Sequence, residues 1–229
     1  MHNLSGDILE VSFNYLVFTF YVSYAIMLYD KLWRNAIMAK LYFKYGAMGS
    51  SKTASALITK FNYEERGMKV WLIKPATDTR DGDDVIKSRI GLANTCRAID
   101  KTEDLFEVFK AEAGQVDAII CDECQFFTPE QIDGCRRIVD EYDLPVLCFG
   151  LRTDFLTHSF PGSARLFEIA DSIGEIKTIC ECGRKATVNA RLTADGKVVT
   201  KGRQVMLGGN DRYIAMCHRC WKKRINENN

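Results

Sequence analysis

Three groups of residues in this 229-residue chain have types and spacings suited to chemistry. The first is Gly46-Ala47-Met48-Gly49-Ser50-Ser51-Lys52-Thr53, close to the phosphate-loop pattern G-x-x-x-x-G-K-[ST]. In such a loop backbone N–H groups curl round phosphate oxygens, and the N-terminus of the following helix adds partial positive charge. Lys52 would reach the β- and γ-phosphates of a nucleotide, and the Thr53 hydroxyl would hold Mg²⁺. Ser51 stands where the pattern has its second glycine. Serine is small but tolerates positive φ less readily. The plainer alternative is a helix N-terminus with a stray lysine.

The second group is Asp122-Glu123, which ends the apolar run Val116-Asp117-Ala118-Ile119-Ile120-Cys121. An apolar strand finishing in Asp is the Walker B pattern, whose carboxylate meets Mg²⁺ at the strand's C-terminal end. Alone, the pair reads as an ordinary acidic strand end; together with the loop it reads as a metal–nucleotide site. Glu123 would then sit where it can take a proton from an incoming hydroxyl or water.

The third group is two cysteine pairs, Cys180-Glu181-Cys182-Gly183 and Cys217-His218-Arg219-Cys220. Four thiolates at this spacing suit a tetrahedral structural Zn²⁺. The first pair is C-x-C rather than C-x₂-C, with Gly183 keeping the tight turn available. Closed Cys₄ sites hold shape, so the metal would pin the intervening segment Gln204-Val205-Met206-Leu207-Gly208-Gly209-Asn210-Asp211-Arg212-Tyr213 as a lid. His218, between ligands, is expected at the surface. The other five cysteines (Cys96, Cys121, Cys124, Cys135, Cys148) fall singly in apolar or helical segments. They read as reduced thiols, which places the protein in the cytoplasm.

Composition narrows the classes. Lys plus Arg number 31 and Asp plus Glu 30, a formal net of +1 that argues against a nucleic-acid surface. The three histidines leave little for a histidine-based metal or triad site. The length suffices for a substantial core.

The elements that must position these groups alternate. Residues 40–45 read as a strand, 53–63 as a helix stopped at Arg66-Gly67, and 68–73 as a second strand closed by Lys74-Pro75. An acidic loop follows, Thr77-Asp78-Thr79-Arg80-Asp81-Gly82-Asp83-Asp84, with Arg89 beyond it. It is either a solvated loop or a face toward a triphosphate, with Arg80 neutralising charge and Asp78 ordering water or metal. A helix is expected over 102–113, capped at Thr102, then the strand over 116–121, a helix over 129–142 and a strand over 145–150. Leu151 and Phe155, just past that strand, are either pocket walls or core. A helix over 163–170 and a strand over 172–178 complete the unit.

The expected fold is thus α/β and P-loop NTPase-like over 38–178, a mostly parallel sheet with helices, plus a small zinc-binding lasso over 179–229. Residues 1–37 stand apart. Residues 11–29 are uncharged and long enough for a membrane span. Asp7 and Glu10 before the run fit a signal peptide poorly, while Lys31 and Arg34 after it are compatible with a single-pass anchor. The plainer expectation is a start at Met38, because Met38-Ala39-Lys40 leads directly into the first strand, and hence no membrane association.

Taken together these residues resemble the small zinc-containing thymidine kinases, found in bacteria and as the cytosolic enzyme of animals. The resemblance covers about residues 38–223. It rests on residues 46–53, Asp78-Thr79-Arg80, Asp122-Glu123-Cys124-Gln125-Phe126-Phe127, residues 150–155, the four cysteines, and Gly208-Gly209-Asn210-Asp211-Arg212-Tyr213. Residues 1–37 match nothing in that family. The resemblance implies transfer of the ATP γ-phosphoryl group to the 5′-hydroxyl of thymidine, with Glu123 as general base and Asp122 as the metal-side acid. It implies ATP contacts from residues 46–53, Asp78, Arg80, Asp122, Glu123, Cys124 and Gln125. Met48, Phe126, Leu151, Phe155 and Tyr213 match positions around the thymine, while Gln204, Val205, Met206, Leu207 and Gly208 belong to a lid that closes over the base through main-chain hydrogen bonds. It further implies a homotetramer and feedback inhibition by dTTP. Two other readings compete: a P-loop ATPase that binds nucleic acid through its cysteine knuckle, and a membrane-tethered form of either enzyme. The near-zero net charge counts against the first.

Overall fold

The computed structural model describes residues 38–79, 82–204 and 213–227. The leader and anchor readings of residues 1–37 lie outside the described residues, as do Arg80, Val205, Met206, Leu207 and Gly208.

Alternating side-chain direction explains the central layer. In β6 (Ala118–Cys121), Ile119 and Cys121 join one buried cluster and Ile120 the other, because successive residues of a strand face opposite sides. Both sides are apolar, as a parallel sheet covered on both faces requires. Six parallel strands run in the order β5 (Arg97–Ile99), β2 (Val70–Pro75), β6, β7 (Val146–Gly150), β1 (Leu41–Tyr45), β8 (Ser172–Glu175). On one face Phe43, Ile73, Ile119 and Val146 pack with Ile132 and Ile138 of α3 (Pro129–Tyr142) and Leu166 of α4 (Pro161–Ile169). On the other, Leu72, Ile120 and Phe149 pack with Ala56 and Leu57 of α1 (Lys52–Glu64). The expected α/β class with a mostly parallel sheet holds.

Helix α3 begins where its sequence says it should. Thr128 Oγ1 accepts from Gln131 N, and the Gln131 side chain accepts from Thr128 N, both at 3.2 Å, with Pro129 at the first helical position. Thr128→Ala removes half of this box. It should cost about 1 kcal/mol and lower the melting temperature by about 2–4 °C, as read by thermal denaturation.

Elsewhere the elements differ from expectation. The helix placed over 102–113 starts at Leu105 instead. Asp100 Oδ1 captures Thr102 N and Oγ1 at 2.9 and 2.7 Å, which locks Thr102 into a turn, and Asp104 caps the helix by accepting from Phe106 N and Glu107 N. This α2 (Leu105–Val108) then widens into a π-helical turn over Phe109–Ala113. Helix α4 begins at Pro161, ahead of the expected 163, since proline suits the first helical turn. The hairpin β3 (Val85–Lys87) and β4 (Ala93–Thr95), strand β5, and a C-terminal helix α5 (His218–Glu227) were not expected.

In the C-terminal part, β9 (Val188–Arg191) pairs antiparallel with β10 (Tyr213–Met216). Around them Ala186, Val188, Ala190, Val198, Met216 and Trp221 form a small core of their own with Cys180 and Cys217.

Candidate functional site

Strands β6, β7 and β1 are parallel neighbours, so the loops leaving their C-terminal ends gather on one edge of the sheet. Gly46 N donates to Gly150 O at 3.2 Å, joining the loop after β1 to the end of β7. A Cβ on Gly46 would lie 2.4 Å from both Ile176 O and Ser50 Oγ, so only glycine fits there. Ser51, which replaces the pattern's glycine, adopts the glycine conformation at φ 61° and makes no capping hydrogen bond through its side chain. An L-residue held there is strained by about 1–2 kcal/mol. Lys52 is buried and folds back over the loop, its Nζ donating to Ala47 O at 3.0 Å and reaching Ser50 Oγ at 3.5 Å.

The carboxylate pair meets this loop. The Thr53 hydroxyl and the charge of Lys52 both act on the Asp122 carboxylate. Asp122 is only 3% exposed; burial pushes its carboxyl up to about 7, aided by the charge of Glu123 and opposed by Thr53, the Glu123 N–H and Lys52. Glu123 sits at φ 49°, a strained conformation for a non-glycine residue and one that clusters at functional sites. Gln125, itself buried, orients it: Nε2 donates to Glu123 Oε2 at 2.5 Å while Oε1 accepts from Leu151 N at 2.9 Å. This needs β7 to end in glycine, because a Cβ on Gly150 would lie 2.6 Å from Cys124 Sγ and Gln125 Oε1. Asp78, buried at the end of neighbouring β2, is held by Asp78 N donating to Pro75 O at 3.0 Å.

The four C-terminal sulfurs converge as the spacing suggests. Cys180, Cys182, Cys217 and Cys220 lie within 4.8 Å of one another, with Cys182 Sγ 3.7 Å from Cys217 Sγ. A tetrahedron with Zn–S bonds of 2.3 Å has edges of about 3.8 Å, so the sulfur set fits zinc. The Cys220 N–H draws the Cys217 thiol down to about 7, while hydrogen bonds with Cys182 and Cys217 push Cys220 up to about 12. His218 is exposed, as expected, and its ring lies 5.3 Å from that of Trp221.

Two residues the sequence did not single out tie this lobe to the loop. Asn189 of β9, buried, accepts from Met48 N at 2.7 Å and donates to Thr153 O at 2.9 Å. Buried Arg191 stacks 3.6 Å over the Phe155 ring, donates through Nε to Tyr213 Oη at 2.8 Å, and through Nη2 to Arg203 O and Gln204 O at 2.8 and 3.0 Å. It therefore grips both ends of the expected lid. Gln204 also donates to Asp154 Oδ2 at 3.1 Å. Neither Asn189 nor Arg191 carried a signal in the sequence, because the burial of Arg191 and the contacts of Asn189 exist only in the fold.

Among the expected pocket residues, Phe155 is 1% exposed, with the Arg191 guanidinium stacked on its ring. Leu151, Met48 and Tyr213 are half-buried, and half-buried Phe126 meets Phe160 edge-on at 5.6 Å. The five remaining cysteines are not all solitary. Cys121 and Cys148 are register partners on β6 and β7, Cys135 on α3 covers that face, and their sulfurs lie within 4.8 Å of one another, with the buried Cys124 thiol acting on Cys148. Among the described residues no helix is long and apolar enough to cross a membrane.

Residues 39–221 match the family model described as thymidine kinase. The thymidine kinase of Yersinia pseudotuberculosis is 44% identical over 190 residues, covering 82% of this chain and 97% of that protein. That of Ruegeria pomeroyi is 43% identical over 188 residues, 81% of this chain and 95% of its own. That of Rhizobium etli is 44% identical over 192 residues, 82% and 96% respectively.

Proposed function

The chain belongs to the thymidine kinase family and is a kinase, and from that premise we propose that it transfers the γ-phosphoryl group of ATP to the 5′-hydroxyl of thymidine, giving dTMP and ADP. The observation that carries this reading is the meeting of Lys52 and Thr53 with Asp122, beside a strained, oriented Glu123.

The chemistry follows from these positions. In this reading residues 46–53 cradle the nucleotide, Asp78, Arg80, Cys124 and Gln125 contribute further contacts to it, and Lys52 holds the β- and γ-phosphates. Thr53 and Asp122 would hold Mg²⁺, which neutralises phosphate charge. Glu123 accepts the proton of the 5′-hydroxyl as its oxygen bonds to the γ-phosphorus; the bond from that phosphorus to the β–γ bridging oxygen breaks, and ADP leaves. Gln125 positions Glu123 for that proton. The cysteine set would hold a structural Zn²⁺, with residues 179–229 as the lasso and residues 38–178 as the kinase domain.

Met48, Phe126, Leu151, Phe155 and Tyr213 surround the thymine in this reading, and Gln204, Val205, Met206, Leu207 and Gly208 close over it. An apolar site for the methyl group favours thymine over uracil by only about 1–3 kcal/mol, so rejection of cytosine must come from hydrogen bonds. The reading extends to a cytoplasmic homotetramer inhibited by dTTP. A nucleoside panel with ATP and Mg²⁺ tests it. Thymidine should be phosphorylated, deoxyuridine with kcat/KM about 10–200-fold lower, and deoxycytidine least. Protein that hydrolyses ATP but leaves thymidine untouched would overturn the assignment.

A further inference from the structure

The β3–β4 hairpin holds a cation over the phosphate loop. Its turn is built tightly: Ser88 N and Oγ donate to Leu92 O at 2.8 and 3.1 Å, Leu92 N donates to Ser88 Oγ at 3.0 Å, and Gly91 N donates to Ser88 O at 3.0 Å. Gly91 takes φ 90°, which glycine adopts without strain. The hairpin is anchored at its base and along its inner side. Buried Lys74 donates to Gly82 O and Val85 O at 2.6 and 2.9 Å, and Ile86 packs in the cluster containing Ala56 and Leu57 of α1. The helix that begins at Lys52 and the turn that carries Arg89 are therefore parts of one packed unit.

Arg89 is exposed on that turn, and its Nη1 lies 4.0 Å from the position a Cβ would take on Gly49. Among the described residues it makes no hydrogen bond or ion pair. A guanidinium held beside a phosphate-binding loop with no carboxylate partner there has its fork of donors available for phosphate oxygens. Lys52, by contrast, is already folded onto Ala47 O and Ser50 Oγ.

We propose that Arg89 is a triphosphate-binding residue, a clamp that reaches from the β3–β4 turn over Gly49 to the phosphates of the bound nucleotide. The proposal rests on the nucleotide site assigned above but not on the identity of the nucleoside acceptor.

Calorimetric titration of the full chain with Mg²⁺ and the non-hydrolysable analogue AMP-PNP, then with adenosine, tests it on the wild type, Arg89→Ala and Arg89→Lys. Arg89→Ala should weaken AMP-PNP binding by about 10-fold or more, the range of a charge-assisted hydrogen bond. Adenosine affinity and melting temperature should stay at wild-type values, and Arg89→Lys should recover part of the loss. AMP-PNP affinity within two-fold of wild type in Arg89→Ala, an equal loss for adenosine, or no AMP-PNP binding by the wild type would overturn the assignment. No thymidine enters these titrations, so wild-type protein that binds AMP-PNP without phosphorylating thymidine would refute the acceptor alone.

Discussion

Glu123→Gln should lower kcat for thymidine phosphorylation by about 10²–10⁴-fold, the usual contribution of a positioned general base. The amide is isosteric with the carboxylate, and its oxygen can still accept from Gln125 Nε2, so the strained backbone at φ 49° keeps its anchor. Nothing in residues 46–53 changes: Lys52 still bonds to Ala47 O, and Thr53 still faces Asp122. The affinity for ATP, read by calorimetry, should therefore stay within about two-fold while turnover collapses, since a carboxamide cannot take the proton. The substitution also removes a negative charge beside Asp122, whose carboxyl Glu123 helps to raise, so any change in ATP affinity should be toward tighter binding. A variant that retains more than a tenth of wild-type turnover would remove Glu123 from the proton transfer.

Stripping metal from the protein, or making Cys217→Ser, should unfold the C-terminal lobe and abolish thymidine turnover. The lobe's own core is small, and structural zinc sites contribute about 10–16 kcal/mol of apparent folding free energy in isolated peptides. Such a core does not close without its metal. The consequence reaches the phosphate loop through particular bonds. Loss of β9 takes away the acceptor of Met48 N, the donor to Thr153 O, and the guanidinium that grips Gln204 O and Tyr213 Oη. Trp221 is 8% exposed within the lobe, so its fluorescence should shift to the red as the lobe opens, while the parallel sheet keeps its far-ultraviolet signal. Metal analysis should find zinc in the wild type and none in Cys217→Ser. A metal-free protein that keeps a buried Trp221 and full activity would show that the four sulfurs are not a folding site.

Gln125 and Gly150 show how the two kinds of information combine. The residues Asp122-Glu123 at the end of an apolar run announce a carboxylate site, but the need for glycine at 150 arises only because Cys124 and Gln125 come within 2.6 Å of it. Likewise Thr53 and Asp122 are recognisable separately, and their meeting depends on β6 and β1 flanking β7 in the sheet.

The amino-acid sequence alone determined what is encoded locally: the strand–loop–helix around Lys52, the acidic end of β6, the proline-led start of α3, the alternation behind a parallel sheet, and two cysteine pairs. Each is carried by adjacent residues, whose spacing sets which side chains share a face or a turn. Tertiary structure alone decided what depends on distant segments meeting. Asn189 reaches Met48 across 141 positions, Cys121, Cys135 and Cys148 meet through strand register and a covering helix, and Arg89 comes to Gly49 on a hairpin of three-residue strands too short to show any period. The cause in each case is packing: a side chain's partner across the fold is chosen by which surfaces bury one another, and no local pattern records that choice.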